Sequence, residues 1–469
     1  MTILRLIVLL VCTAASMQGP HGMLAAPGNS WTVARLPTPG RGTSAWPFDA
    51  EAVSCPVVWA CYIVGDTFVN WAGYPAIDTL DRGEWSTTGF SSVNNGIMQA
   101  TVTNTVACPT ATECVAAGSG GPGDNQADQF SFPYLLIRAQ NRWKMTITTP
   151  MNGFIVDLSC SSTTFCVGAG YSYLCKGPTP DDDCTQEERL QTYTHGRWRS
   201  QPAPLARGQS SGTGGELWKI SCPGEGRCVA IGGAPAVIVT LSNGHWHAQD
   251  APVPPGSSGV QHEYLSDVAC PTSGQCQIVG TYTTGEQASS LTHPLFLSQT
   301  GSGWNASTIP TGGYSALSPD RVSCPSVHLC AAAGTASSAG LASLAGFRMS
   351  GGTWSRVVLP YRKTNFGAWS SNISSIACAT TQSCMAVGVA ANAASSSANT
   401  KASAWSLVYH GGHWQAERIP DPAGVDQSSA PEIRDVAVTG GGYVAVGEFF
   451  GPYDSNRFPD GKGMVAFHG

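Results

Sequence analysis

Apolar and polar positions alternate in short runs along this chain, and one run keeps returning. VSCPVVWACYIVG begins at Val53 and VACPTATECVAAG at Val106. LSCSSTTFCVGAG, ISCPGEGRCVAIG, VACPTSGQCQIVG, VSCPSVHLCAAAG and IACATTQSCMAVG begin at Leu158, Ile220, Val268, Val322 and Ile376. Each reads as an apolar-small-Cys stretch, a short connection, a second Cys and an apolar run ending in Gly, the pattern of two strands joined by a tight turn. An eighth copy, VAVTGGGYVAVG from Val436, keeps the frame but has Val438 and Tyr443 where the cysteines would stand. A second element alternates with the first: a glycine-rich turn, a tryptophan, a short strand and usually a proline. It occurs at Trp85, Trp143, Trp198, Trp246, Trp304, Trp354 and Trp414. No segment sustains a 3.6-residue apolar period, so helices are expected to be minor.

Successive tryptophans lie 48 to 60 residues apart, the range of a four-stranded propeller blade. The C-terminus stops at MVAFHG, where a Trp strand should follow, and that strand is found at the N-terminus as GNSWTVARLP around Trp31. The pattern therefore predicts an all-β fold: a single β-propeller of eight four-stranded blades over residues 28–469. The N-terminal strand is expected to complete the last blade, which leaves no open sheet edge. In each blade, strand A should end at the first Cys and strand B begin at the second. Strand C should precede the glycine turn, and strand D should carry Trp. Residues 1–27 read as a signal peptide and short leader, from Arg5, the apolar run Leu6 to Cys12 and the small residues Thr13-Ala14-Ala15-Ser16. A lipidated Cys12 is the rival reading, and the bulky Val11 before it argues against that. No later window approaches the roughly 20 apolar residues of a spanning helix, so a secreted chain without a membrane span is expected.

Composition sharpens this picture. The chain has 469 residues, 24 Lys and Arg against 30 Asp and Glu, a net charge of −6 and only 12% charged residues. A charge-poor, mildly acidic chain lacks the basic footprint of a nucleic-acid binder. Of 17 cysteines, Cys12 lies in the leader. Zinc sites favour closer ligand spacing and redox sites favour Cys-x-x-Cys, so structural disulfides across each hairpin are expected. The pairs are Cys55/Cys61, Cys108/Cys114, Cys160/Cys166, Cys222/Cys228, Cys270/Cys276, Cys324/Cys330 and Cys378/Cys384. Each would contribute about 2 kcal/mol by loop entropy. Cys175 and Cys184 then close an inserted loop.

The Ser-Cys-Pro and Ala-Val-Gly strings resemble the cysteine-containing propeller repeats of secreted actinobacterial proteins, over nearly all of the mature chain. More distantly, the Gly-x-Trp turns are similar to the Asp-box blades of sialidase-like propellers, with Asp81, Gly83 and Trp85 as the nearest match. That second resemblance would imply an Arg triad, a Tyr-Glu pair and an Arg-Ile-Pro motif. Arg418-Ile419-Pro420 matches the motif, but it occupies the same repeat slot as Arg35-Leu36-Pro37. No catalytic residue is assigned.

Five further features are candidates for chemistry. The run Asp181-Asp182-Asp183 lacks the spacing of a calcium loop and reads as a solvated insertion. His245, His247, His410 and His413 flank turns and read as exposed. Asn305 and Asn372 sit in glycosylation-type triplets. Three residues before each first cysteine, strand A carries Asp157, Lys219, Asp267, Arg321 and Asp435, and buried charges need partners. Inter-blade salt bridges near the channel are expected there, the alternative being a polar channel mouth that binds a small ligand. The variable connections at one end carry Trp46, Trp71, Tyr74, Phe130, Phe132, Tyr171, Tyr173, Tyr314, Phe366, Trp369, Phe449, Phe450 and Tyr453. Aromatic side chains in variable loops suit sugar stacking or partner contacts. The expected function is a non-enzymatic, monomeric binder of an unknown glycan or protein through that face, without metal or cofactor. The alternative is a sialidase-like hydrolase or lyase.

Overall fold

The computed structural model describes residues 30–37, 45–69, 72–90, 100–121, 131–148, 153–175, 184–207, 215–233, 235–285, 290–301, 303–338, 341–357, 359, 372–391, 402–410, 412–422, 431–440, 442–450 and 461–469. Among them run thirty-two strands and no helix. They form eight antiparallel four-stranded blades, of which blades 5 and 6 are joined by one parallel bridge, Thr292 to Ala316. The inner strands A are Ala45–Val57, Ala100–Ala107, Gly153–Ser162, Leu217–Gly224, Val260–Ala269, Ala316–Ser326, Asn372–Thr380 and Pro431–Thr439. Each packs against the next, and the eighth packs against the first, so the ring is closed. The closing strand is Trp31–Arg35, which pairs with Gly461–His468 from Trp31 opposite His468 to Arg35 opposite Met464. This is the permuted closure that the sequence predicts.

The cause of each turn is local. Outer hairpins C–D turn on Arg82-Gly83 (φ 52° and 89°), His195-Gly196 (48° and 84°) and Asn243-Gly244 (51° and 78°). Positive φ at both central residues is the two-residue type I′ turn, whose twist matches the strands and which favours Asn and Gly. Inner hairpins A–B are closed by the seven predicted disulfides, Cys55–Cys61, Cys108–Cys114, Cys160–Cys166, Cys222–Cys228, Cys270–Cys276, Cys324–Cys330 and Cys378–Cys384. Cys175 stands opposite Cys184 in register, and Cys184 is disulfide-bonded. Blade 8 uses packing instead: Tyr443 is buried, and its hydroxyl lies 2.8 Å from Ser383 Oγ of blade 7. Seven disulfides fit an oxidising compartment, and among the described residues no helix is long and apolar enough to cross a membrane.

The core is not one mass but a layer between each pair of blades. The repeat tryptophans fill these layers. Trp246 packs between blades 3 and 4, Trp304 between 4 and 5, and Trp354 between 5 and 6.

Besides closing their hairpins, the bridges enter the core. The second cysteine of every pair is core: Cys61, Cys114, Cys166, Cys228, Cys276, Cys330 and Cys384 are all buried. Each opens strand B on the face that looks toward the preceding blade. Cys61 packs with Val444 of blade 8, Cys114 with Tyr62 of blade 1 and Cys166 with Val115 of blade 2. Cys330 packs with Phe296 of blade 5, and Cys384 with Ala331 of blade 6. Cysteine is small and apolar enough for such a position, so these seven sulfurs join blade to blade as well as strand to strand. They are shielded structural groups, not an accessible site.

Strand A is the inner edge of its sheet, so half of its N–H groups have no ladder partner. Side chains of the preceding blade supply one. Where serine precedes the first cysteine, its hydroxyl accepts from the cysteine N–H of the next blade. Ser54 does so for Cys108 at 3.2 Å, Ser159 for Cys222 at 3.0 Å, Ser221 for Cys270 at 3.1 Å and Ser323 for Cys378 at 3.2 Å. Aspartates two residues earlier act likewise. Asp157, Asp267 and Asp435 accept from the N–H of Ile220, Val322 and Val53, each at 2.9 Å.

This corrects the expected row of inter-blade salt bridges. Of those five charges only Asp157 and Lys219 form one, at 4.0 Å. Arg321 donates instead to the Ser374 carbonyl of blade 7 at 2.7 Å. A short aspartate beside an unpaired edge N–H meets that donor before it meets a distant cation.

All eight A strands carry a register shift just before this position, after Ala50, Thr103, Ile155, Leu217, Leu265, Pro319, Ile373 and Ile433. Such a bulge re-aims the following side chain and bends the strand. It also brings a carbonyl of strand A onto strand B, which explains the glycine ending each repeat. A Cβ on Gly65 would lie 1.7 Å from the Asp49 carbonyl oxygen, and one on Gly280 2.1 Å from that of Tyr264.

Candidate binding site at the channel mouth

Two kinds of end result. The A–B and C–D turns form a regular turn end. The B–C and D–A connections form the loop end, where the inner strands begin. Within the channel the repeated charges feel one another. Lys219 is held above its usual range by Asp157 first, with Asp267 and Asp435 adding to this. Asp435 belongs to the opposite blade, so these side chains converge on the axis.

At the loop-end mouth the residue six before each first cysteine is Asp49, Val102, Phe154, Glu216, Tyr264, Ser318, Asn372 and Glu432 in blades 1 to 8. The ring they mark is two-sided. On blades 3 to 5 it is aromatic. Phe154 stacks on Tyr171 at 4.8 Å and 21°, and Tyr173 meets Tyr171 edge-on at 5.6 Å. Trp218, the bulge residue of blade 4, stacks on Tyr264 of blade 5 at 5.0 Å and 19°, and its indole donates to the Leu265 carbonyl at 2.7 Å. Tyr264 is 53% exposed although it lies on an inner strand. Such a ring, fixed from behind and open in front, is what a sugar face stacks on.

On blades 8 and 1 the mouth is acidic. Arg434, the bulge residue of blade 8, bridges four carboxylates: Glu51, Glu448 at 2.5 Å, Glu432 at 3.6 Å and Asp49 at 3.7 Å. Burial pushes Asp49 up to about 7, and the neighbouring Glu448 adds to the rise. Burial also raises Glu51 and Glu448, with Arg434 opposing it. Burial works against the Arg434 charge, but the three carboxylates outweigh it and hold the guanidinium firmly protonated.

Of the loop aromatics singled out in the sequence, Tyr171 and Tyr173 belong to this mouth. Tyr74 and Phe132 are half-buried at the starts of strands C of blades 1 and 2. Tyr314 is half-buried under Arg356, whose guanidinium lies 4.5 Å from the ring centre. Phe449 is a correction: at 2% exposure it belongs to the core between blades 7 and 8, with Arg35 over its ring. Strand alternation turns it inward, one residue after Glu448. The side chains of Trp46 and Phe450, and residues Trp71, Phe130, Phe366, Trp369 and Tyr453, lie outside the described residues, as do Met1 to Pro27 and Asp181 to Asp183.

Sequence reasoning missed Phe154, Trp218, Tyr264 and the Arg434 cluster. Their signal was a column: six positions before the first cysteine, and four for the bulge. Arg418 is exposed and paired with Asp421 at 2.9 Å, apart from the mouth cluster. His245, His247, His410 and His413 are exposed. Among the described residues no three His, Cys, Asp or Glu come together as a metal site.

No family model matches this sequence, and no curated protein matches it. Solved structures do. A polysaccharide lyase, the PL25 ulvan lyase, aligns at a TM-score of 0.44 and 10% identity over 74% of this chain and 89% of its own. An acylaminoacyl peptidase from Pyrococcus horikoshii aligns at 0.42 and 8% over 88% and 58%. A Trypanosoma rangeli sialidase mutant aligns at 0.38 and 9% over 93% and 58%. These neighbours are enzymes of differing chemistry, and likeness at this level assigns none of it to the present chain.

Proposed function

We propose that this protein is a secreted, non-enzymatic propeller that binds a glycan across the loop-end mouth of its channel. The observation that carries the reading is the aromatic arc on three successive blades, Tyr171 and Phe154, then Trp218, then exposed Tyr264. Stacked pairs present flat apolar faces at little conformational cost, and polar groups around them set orientation. The seven disulfides support an extracellular setting. The test is a glycan array probed with the disulfide-intact protein and with Tyr264→Ala and Trp218→Ala. We expect one glycan class bound, and binding reduced at least ten-fold in either variant. Silence on the array at high protein concentration, or equal binding by both variants, contradicts the reading.

One observation favours a second reading, hydrolysis or elimination on a glycan. Asp49, with its proton held to about pH 7, sits beside Glu448 and Glu51, and a protonated carboxyl next to ionised ones is the pairing that acid-base catalysis uses. Arg434 opposes it by engaging those carboxylates in ion pairs. A panel of chromogenic glycosides and uronate polymers, assayed with wild type and Asp49→Asn, separates the two. Turnover abolished by Asp49→Asn establishes catalysis, and no turnover leaves the binder.

A further inference from the structure

At the turn end, blades 4 and 5 part to leave a cleft of about 350 Å³. Its inner walls are two disulfide-closed connections, Cys222–Cys228 and Cys270–Cys276. The blade 4 connection is Pro223-Gly224-Glu225-Gly226-Arg227, with glycines where blade 1 has Val57 and Trp59 and blade 6 has Ser326 and His328. A Cβ on Gly224 would meet nothing closer than Ser273 Oγ at 3.7 Å, and one on Gly226 would meet nothing within 4 Å. Neither turn glycine adds a side chain beside the gap.

Polar groups converge on this space from three directions. Arg227 comes from the inner hairpin of blade 4; Asn243, His247 and Gln249 come from its outer hairpin; Ser273 and Gln299 come from blade 5. His247 pairs with Thr240 and Gln249 with Ile238, so the two side chains lie two residues apart on one face of the sheet. Arg227 donates to the Asn243 side-chain carbonyl at 3.5 Å, which uses one of its five N–H groups. The lining contains no Asp or Glu. Glu225, in the same connection, is exposed and not part of it.

We infer that this cleft is a second binding site, independent of the channel mouth, for a monosaccharide-sized sugar acid: a hydroxyl-rich ring bearing one carboxylate. The chemistry follows from the lining. A single guanidinium with free N–H groups receives a carboxylate as a fork. Amide and hydroxyl side chains around it take up ring hydroxyls. A wall without carboxylates repels no anion. The volume lies at the lower end of the range for small-molecule sites, roughly 300–1,000 Å³. Two short disulfide loops hold the walls, so little ordering is left to the ligand.

The experiment is a calorimetric titration of the disulfide-intact protein with sodium D-glucuronate, with D-glucose and sodium acetate as comparison probes. Saturable glucuronate binding is expected, at least ten-fold tighter than either comparison. Arg227→Gln and Gln249→Glu should each weaken it at least ten-fold, the first by removing the cation and the second by placing a carboxylate in the wall. Both positions are exposed, and an unchanged melting temperature confirms folding. Trp59→Ala, an exposed turn residue of blade 1 outside both the cleft and the channel mouth, should leave glucuronate binding unchanged. Absence of saturable glucuronate binding, acetate bound as tightly as glucuronate, or full affinity in both cleft variants overturns the inference.

Discussion

The two ends of the ring are made from the same repeats and obey different rules. At the turn end seven hairpins carry the same disulfide at the same sequence separation. There four blades hand a serine hydroxyl to the backbone of the next: Ser54, Ser159, Ser221 and Ser323 on cysteine N–H groups. Among the described residues of the loop end, no single bond of this kind recurs from blade to blade. Equivalent positions hold Phe154 and Tyr264 on one side of the mouth and Asp49 and Glu432 on the other. Where the fold is held by covalent and backbone bonds at one end, side chains at the other are released from holding it. Variation concentrates where the scaffold does not need uniformity.

The sharpest way to break this comparison is to remove the disulfides. Seven bridges at about 2 kcal/mol each reach the top of the net stability of an ordinary domain, about 5–15 kcal/mol. Alkylation would also force bulk onto the buried Cys61, Cys114, Cys166, Cys330 and Cys384. The reduced, alkylated chain should therefore lose its cooperative thermal transition at 37 °C, read by circular dichroism. A reduced chain that melts where the oxidised one does would deny the turn end its role.

The loop end should be weaker overall but has one fixed point, the Arg434 cluster at the closing seam. Arg434→Met leaves Glu51 and Glu448 without their cation, and breaking a buried pair costs about 3–5 kcal/mol. Urea unfolding should show that loss. A change below about 1 kcal/mol would mean that solvent already screens the cluster.

Titration offers a third comparison. Burial holds Asp49, Asp78, Glu188 and Asp320 up to about 7. Their folded values lie above the unfolded ones near 4, so the folded chain binds more protons between those limits. Their contribution to stability is complete below about pH 4 and is lost as pH rises through about 7. The melting temperature should therefore fall from about pH 5 to about pH 8. Asp78 is fully buried, and the Thr87 hydroxyl donates to it. Asp78→Asn should remove part of that slope, on the order of 3 kcal/mol at most. A melting temperature that rises over this interval would contradict the assignment.

The smallest effect is expected from a single link. Ser221→Ala leaves the Cys270 N–H without its acceptor, at a cost of about 1 kcal/mol. Blades 2, 5 and 7 already carry Ala107, Ala269 and Ala377 at that position. The reverse change Ala269→Ser, which offers an acceptor to Cys324, should stabilise by a similar amount.

Most of the turn end was legible in the sequence, because its features are local and periodic. Cysteine spacing gave the bridges, Gly-x-Trp gave the outer hairpins, and the displaced Trp31 strand gave the closure. That one sulfur of each bridge is core was not legible, since spacing along the chain does not say which face of strand B meets the preceding blade. The column three residues before each cysteine was also visible. Its partners were not, because the edge N–H groups that donate to Asp267 and Asp435 come from a neighbouring blade in a ring the sequence does not draw. The mouth was half legible. Tyr171 and Tyr173 stood out as loop aromatics. Phe154, Trp218 and Tyr264 lie on inner strands, where an aromatic residue reads as core until the bulge that turns it outward is known. Phe449 failed in the opposite direction: near a loop in sequence, it is packed between blades.

The central claim is that ligand meets this protein at the aromatic arc of the loop end. Hydroxyl-radical footprinting in the presence of the best array glycan tests it directly, because oxidation reports each ring separately. The account predicts protection of Tyr264, Trp218 and Tyr171, with exposed Trp59 at the turn end unchanged. Protection of Trp59, or oxidation of Tyr264 at the same rate with and without a bound glycan, would contradict it.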